Sequence, residues 1–164
     1  MFRLSWLLIG IALMTLSTCK PSQRTGSDHS DFETALKQGI PAVSYCDLIE
    51  AAHKYDGKFV RVHAVYANIG GEYSSFVDPT CTGITSGSEE RAAAWLEFGE
   101  SNTKRSGPRV MEALGDLMKS QHRADLVVVG KFYGPTPNRY GHLNSYQYKF
   151  VVERIEKVEP VSRR

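Results

Sequence analysis

The spacing of apolar positions changes several times along the chain, and each change marks an element. The stretch ADLVVVGKFYG, from Ala124, is β-branched and almost wholly apolar. After a turn-rich segment, PTPNRYGHLNS, the chain resumes as YQYKFVVERIEKVE, where Tyr146, Tyr148, Phe150 and Val152 alternate with Gln147, Lys149 and Glu153. Alternation at period two, bounded by Gly, Pro and Asn, marks half-buried strands, so Ala124 to Glu159 reads as a final strand pair. The same pattern predicts a first strand at Phe59 to Asn68, with Val60, Val62, Ala64 and Tyr66 opposite Arg61 and His63. The turn Ile69-Gly70-Gly71-Glu72 leads to a second strand, Tyr73 to Asp78. Arg91 to Phe98 (RAAAWLEF) fits strand or helix. Ala94, Leu96 and Phe98 alternate against Trp95, and the run is short for a helix, so it is read as the third strand.

Two segments carry the helical period instead. Ser44 can cap a short helix with Asp47 in its first turn, and Tyr45, Leu48, Ile49 and Ala52 form one stripe before Asp56-Gly57 ends it. Pro108 to Gln121 is a longer helix, with Pro108 in the first turn and an apolar stripe of Val110, Met111, Leu114, Leu117 and Met118. Gly115 in its middle is expected to allow a close approach to the strands. The order is helix, three strands, helix, two strands. That order predicts an α+β domain, mostly β, built as a five-stranded OB-like Greek-key barrel with a helix between strands three and four.

The start of the chain has a different character. Arg3 precedes an apolar run from Leu4 to Leu16, broken by Ser5, Gly10 and Thr15, which is shorter than the roughly 20 residues of a membrane span. Its proportions are those of a secretory signal. Leu16-Ser17-Thr18-Cys19 resembles a bacterial lipobox, departing from the usual pattern at Thr18. The resemblance implies a signal peptide over 1–18, acylation of Cys19, and a protein lipid-anchored in a bacterial envelope and facing the periplasm. The alternative is an ordinary signal peptide with Cys19 a bystander. Lys20 follows the Cys, where the family's inner-membrane retention signal is Asp, so the resemblance favours the outer membrane. Residues 19–43 are polar and read as a flexible tether, with one helical turn at Phe32 to Leu36 able to dock. The domain is expected over 44–159 and a tail over 160–164.

The 164 residues are 41% hydrophobic and 23% charged, enough for one domain with a core. Lys and Arg number 20 against 18 acids, and apart from Lys104-Arg105 and Arg163-Arg164 they are scattered. Such a balance leaves little electrostatic footprint for nucleic acid. With Cys19 assigned to lipid, Cys46 and Cys81 remain, and an even pair in an oxidising compartment is expected to form a disulfide, a reactive thiol being the rival.

Tyr55-Asp-Gly-Lys-Phe-Val-Arg-Val resembles the lead-in to the first strand of bacterial envelope modules with an OB fold. With the lipobox, the whole resembles an envelope lipoprotein carrying an OB-like domain over about Ser44 to Glu159. No hydrolase, zinc-protease, phosphate-loop or calcium-loop motif is present, and the five histidines lack metal-ligand spacing. No catalytic residue, metal or cofactor is therefore expected. OB folds tend to bind extended ligands with the strand two and three face and the flanking loops. The second such loop here is Pro135 to Ser145. Asn138, Arg139, Tyr140, His142 and Asn144 are its candidate binding residues, with Tyr73 and Trp95 extending the surface if they point outward. The competing reading folds Tyr140 and Leu143 back to cap the barrel. Three functions follow: a binding module for an envelope protein or glycan, a structural lipoprotein of an envelope assembly, and, least favoured, a single-stranded nucleic-acid binder.

Overall fold

The computed structural model describes residues 27–69, 73–81 and 92–161. The expected signal peptide, Cys19 and most of the connection before the third strand lie outside the described residues. The elements are α1 (Ser27–Gln38), β1 (Ala42–Ser44), α2 (Tyr45–Glu50), α3 (Ala52–Tyr55), β2 (Phe59–Ile69), β3 (Tyr73–Val77), β4 (Ala94–Phe98), α4 (Asn102–Ser106), α5 (Pro108–Gln121), β5 (Arg123–Tyr133) and β6 (Tyr148–Glu159). A 3-10 turn, His142–Asn144, lies between β5 and β6.

β2 pairs antiparallel with both β3 and β5, β3 antiparallel with β4, β4 parallel with β6, and β6 antiparallel with β5. That ring closes a five-stranded mixed barrel. β1 adds parallel to residues 61–63 of β2, on the same edge as β3 and just before the residues that β3 pairs. The architecture is α+β and consistent with an OB-like barrel. Val60, Val62, Ala64 and Tyr66 point inward from β2, as their alternation requires, and meet Phe76, Leu96, Leu126, Val128, Phe132, Phe150 and Val152 in one core. Gly57, at φ 69°, makes the turn into β2 and donates its N–H to the Phe132 carbonyl at 2.8 Å.

Of the two sequence-derived helices, Pro108–Gln121 is present over its full span, whereas the first, expected to run unbroken to Asp56-Gly57, is split at Ala51 (φ −105°, ψ 36°) into α2 and α3. The Ser44 hydroxyl accepts from the Asp47 N–H at 3.0 Å, and Tyr45, Leu48, Ile49 and Ala52 are all buried. α5 begins on Pro108 and buries Leu114, with Val110, Met111, Leu117 and Met118 packed beside it. Gly115 does not draw α5 in: a Cβ there would meet nothing within 4 Å.

Tyr45 also ties α2 to the barrel wall. Its hydroxyl lies 2.8 Å from the Phe76 carbonyl and 2.6 Å from the Ala92 carbonyl, so one proton serves two acceptors. Burial pushes this phenol well above the ordinary tyrosine range, and burial also raises Tyr148. For a group with a raised folded-state pKa, the contribution is complete below the unfolded value of about 10 and is lost as pH rises beyond it. Alkaline titration followed by circular dichroism is therefore expected to unfold the wild type above about pH 10, and Tyr45→Phe to blunt that limb. An unchanged limb in the variant would assign it to other groups.

β6 departs from simple alternation. Val127 faces Lys157 but Val128 faces Ile155, and Val129 faces Arg154 but Gly130 faces Val152, leaving Glu156 and Glu153 as bulge residues. Each extra residue flips side-chain parity, so Val152 and Ile155 can both reach the core. Glu156 accepts from Arg61 at 2.7 Å and from Arg154 at 2.6 Å, and the Arg61 hydrogen bond chiefly holds its carboxyl below the usual range. Glu153, off the core-facing row, is nonetheless buried and binds the Arg105 guanidinium.

The segment before Ser44 does more than tether. α1 is a 12-residue helix, longer than the single turn expected at Phe32 to Leu36. Phe32 is 1% exposed, its ring 5.5 Å from Phe59 in an edge contact, with Arg105 Cζ 4.2 Å above it.

Candidate functional site

The β5–β6 connection is a structured loop. Gly134 N–H donates to Asp56 Oδ1 at 2.8 Å, and Tyr140 Oη donates to the Gly134 carbonyl at 3.0 Å. Tyr140 and Tyr146 then exchange backbone hydrogen bonds of 2.8 and 3.1 Å, closing residues 141–145 into a small loop. Within it, Asn144 N–H donates to Gly141 O and Ser145 N–H to His142 O, both at 3.2 Å. Arg139, Leu143 and Asn144 adopt positive φ of 43°, 54° and 53°. Left-handed backbone at non-glycine residues persists only where the surroundings impose it.

The loop lies on the outer side of the barrel against Trp95. A Cβ at Gly141 would stand 2.5 Å from Trp95 Cδ2 and 2.9 Å from Tyr146 Cδ2, so the glycine is needed for the backbone to touch the indole. The Trp95 and Tyr146 rings lie 5.4 Å apart, and the His142 ring meets Tyr73 edge-on at 5.5 Å. Trp95 Nε1 donates to Glu97 Oε1 at 3.1 Å, and Lys149 Nζ lies 3.4 Å from Glu97 Oε2 and 5.6 Å from the Tyr140 ring centre.

The expected site residues therefore divide. Tyr140 is half-buried and anchors the loop, while His142 is exposed and joins it to Tyr73. Asn138, Arg139 and Asn144 are exposed around the tip. Trp95 does point outward, but the loop covers it, leaving Tyr73 as the more open ring at 37% exposure. Leu143 is corrected: it does not fold back to cap the barrel but stands 79% exposed. With φ positive and both neighbours hydrogen-bonded within the loop, its side chain is directed away from the body.

Beside the loop runs a groove of about 530 Å³. Val65, Ala67, Ser75 and Val77 form its floor, Tyr73 and Tyr146 contribute walls, and Arg123 and Asp78 carry its charges. The sequence reading missed it. A signal was present, because the outward row of β2 runs Arg61, His63, Val65, Ala67 and turns apolar at its end.

The Cys46–Cys81 disulfide is present, with Cα atoms 5.3 Å apart. It joins α2 to the segment after β3, and Cys81 touches the groove. Among the described residues, Cys46, Asp78 and Cys81 offer metal-type donors within 4.8 Å of one another, but both sulfurs are consumed by the bridge. No described helix is long and apolar enough to cross a membrane.

No family model, curated protein or solved structure matches the chain.

Proposed function

We propose that this protein is a lipid-anchored, periplasm-facing binding module with an OB-type Greek-key barrel, in which α4 and α5 fill the place of the helix between barrel strands three and four. Its loop, Pro135 to Ser145, docks a protein partner in the envelope. Leu143 carries the reading. An apolar side chain 79% exposed, on left-handed backbone held by hydrogen bonds to its neighbours, contributes nothing visible to folding. Set among Asn138, Arg139, His142 and Asn144, it has the form of an interface anchor: an apolar knob within a polar rim. Pinning the loop in advance lowers the ordering cost of binding.

A protein is favoured over a glycan because Trp95, the largest outward ring, is packed against Gly141 and Tyr146, which leaves Tyr73 as the more open ring. The same cover, with the scattered basic residues, argues against single-stranded nucleic acid. The anchor is Cys19. With α1 docked, residues 20–26 alone would separate the lipid from the folded unit, a reach of at most about 24 Å.

Both halves can be tested in one experiment. The full chain is expressed in a two-membrane bacterium with labelled palmitate, and its envelope partner is captured by crosslinking. The wild type is expected to carry label and give a defined crosslinked product. Cys19→Ala should lose the label, while Leu143→Asp and Gly141→Ala should keep it and weaken capture by about 30-fold, the loss of one hot spot. A partner captured equally by Leu143→Asp would end the loop assignment.

A further inference from the structure

The groove on the outer face of β2 and β3 has a chemistry separate from the loop tip. We propose that it binds a single-chain amphiphile, its hydrocarbon along the aliphatic floor and its anionic end, carboxylate or phosphate, at Arg123. This reading stands whether or not Leu143 docks a protein.

Strand register fixes the layout. Ala67 lies between Ser75 on β3 and Arg123 on β5, and Val65 lies between Val77 and Asp125. Side chains of one parity share a face, so Arg123, Ala67, Ser75, Val65 and Val77 form one contiguous outer surface. Val65 and Ala67 are 8% and 4% exposed although they point away from the core, and both line the groove together with Ala92, Ala93 and Val161. Tyr73 and Tyr146 line it as well. Short aliphatic side chains offer a hydrocarbon chain what a sugar, with its many hydroxyls, could not use.

The charges give that floor a direction. Arg123 is exposed and lines the groove, and no described carboxylate pairs with it. Asp125, two residues along on the same row, is already engaged by His63 Nε2. At the other corner, Asp78 Oδ1 accepts from the Thr80 N–H at 2.8 Å and the Thr80 hydroxyl at 2.6 Å. Asp78 follows Val77 and Arg123 faces Ala67, so the two stand at opposite corners. With strands about 4.8 Å apart and a rise of about 3.3 Å per residue, those corners are about 14 Å apart. An anionic head is repelled from Asp78 and drawn to the Arg123 fork, which suits carboxylate and phosphate oxygens. Under this polarity a neutral chain of equal length lacks the charged contact and binds more weakly.

Calorimetric titration of the purified full chain with dodecanoate, dodecyl phosphate and dodecanol, each below its aggregation concentration, tests the proposal. Saturable one-to-one binding of dodecanoate or dodecyl phosphate is expected, about tenfold or more tighter than dodecanol. Whichever anion binds identifies the head group. Arg123→Gln, an exposed change that leaves the core intact, should erase that margin, while Leu143→Asp should leave it untouched. Failure of both anions to bind, equal binding of dodecanol, or a margin that survives Arg123→Gln would each overturn the proposal. Loss of binding in Leu143→Asp would overturn its independence from the loop.

Discussion

Phe32→Ala is expected to release α1 from the barrel while the barrel itself stays folded. Phe32 is the one buried side chain among those described in α1. Truncating a buried phenylalanine costs about 3–5 kcal/mol, and here the edge contact with Phe59 and the Arg105 guanidinium at 4.2 Å are lost with it. A detached helix of 12 residues is marginal in water, so α1 should melt once undocked. The loss therefore falls on a local opening rather than on global unfolding. Hydrogen exchange should show protection vanishing over residues 27–38 and persisting in β2, β5 and β6. Protected α1 amides in the variant would show that Phe32 is not what holds the helix. The consequence reaches the proposed anchoring, since undocking raises the maximum reach between Cys19 and the barrel from about 24 Å to about 75 Å. Arg105 is affected too, because Phe32 covers the guanidinium that pairs with buried Glu153.

Replacing both Cys46 and Cys81 with serine is expected to lower stability by about 3–4 kcal/mol, since the bridge closes a loop with a sequence separation of 35. For a domain of this size that corresponds to roughly 10–15 °C in Tm. The variant should still fold, because the Tyr45 hydroxyl independently joins α2 to the Phe76 and Ala92 carbonyls. Thermal melts of wild type and variant, with thiol quantitation, measure the difference. A reduced wild type with free thiols and an unshifted Tm would show that the bridge contributes nothing. Cys81 also touches the groove, so the variant should bind the amphiphilic probes less tightly if that edge loosens.

The core of β2, the cap and stripe of α2, the span of α5 and the β5–β6 pair were all legible before any coordinates, since each rests on interactions between residues a few positions apart. Ser44 and Asp47 are three residues apart, and the β2 alternation is a property of the strand itself. The disulfide was legible for another reason: once one cysteine of three is set aside, only one pairing remains.

The site was legible only as a region. His142 and Tyr73 do meet, and Tyr140 anchors the loop beside them, but nothing local shows that Gly141 would lie on Trp95, 46 residues away in sequence, or that Leu143 would face solvent. The bulges at Glu153 and Glu156 were hidden because parity is defined only against a partner strand. Phe32 was legible only as part of one turn able to dock, because the contacts that hold it, Phe59 and Arg105, are remote.

By itself, then, the sequence determined the barrel strands, α2 and α5, most of the core and the cysteine pair, which follow from short-range periodicity and residue chemistry, but not α1, β1 or α4. The tertiary structure decided which outward residues became a groove, which ring was covered and which leucine was presented. Those outcomes depend on closure of the barrel, which brings distant strands and one long loop onto a single surface.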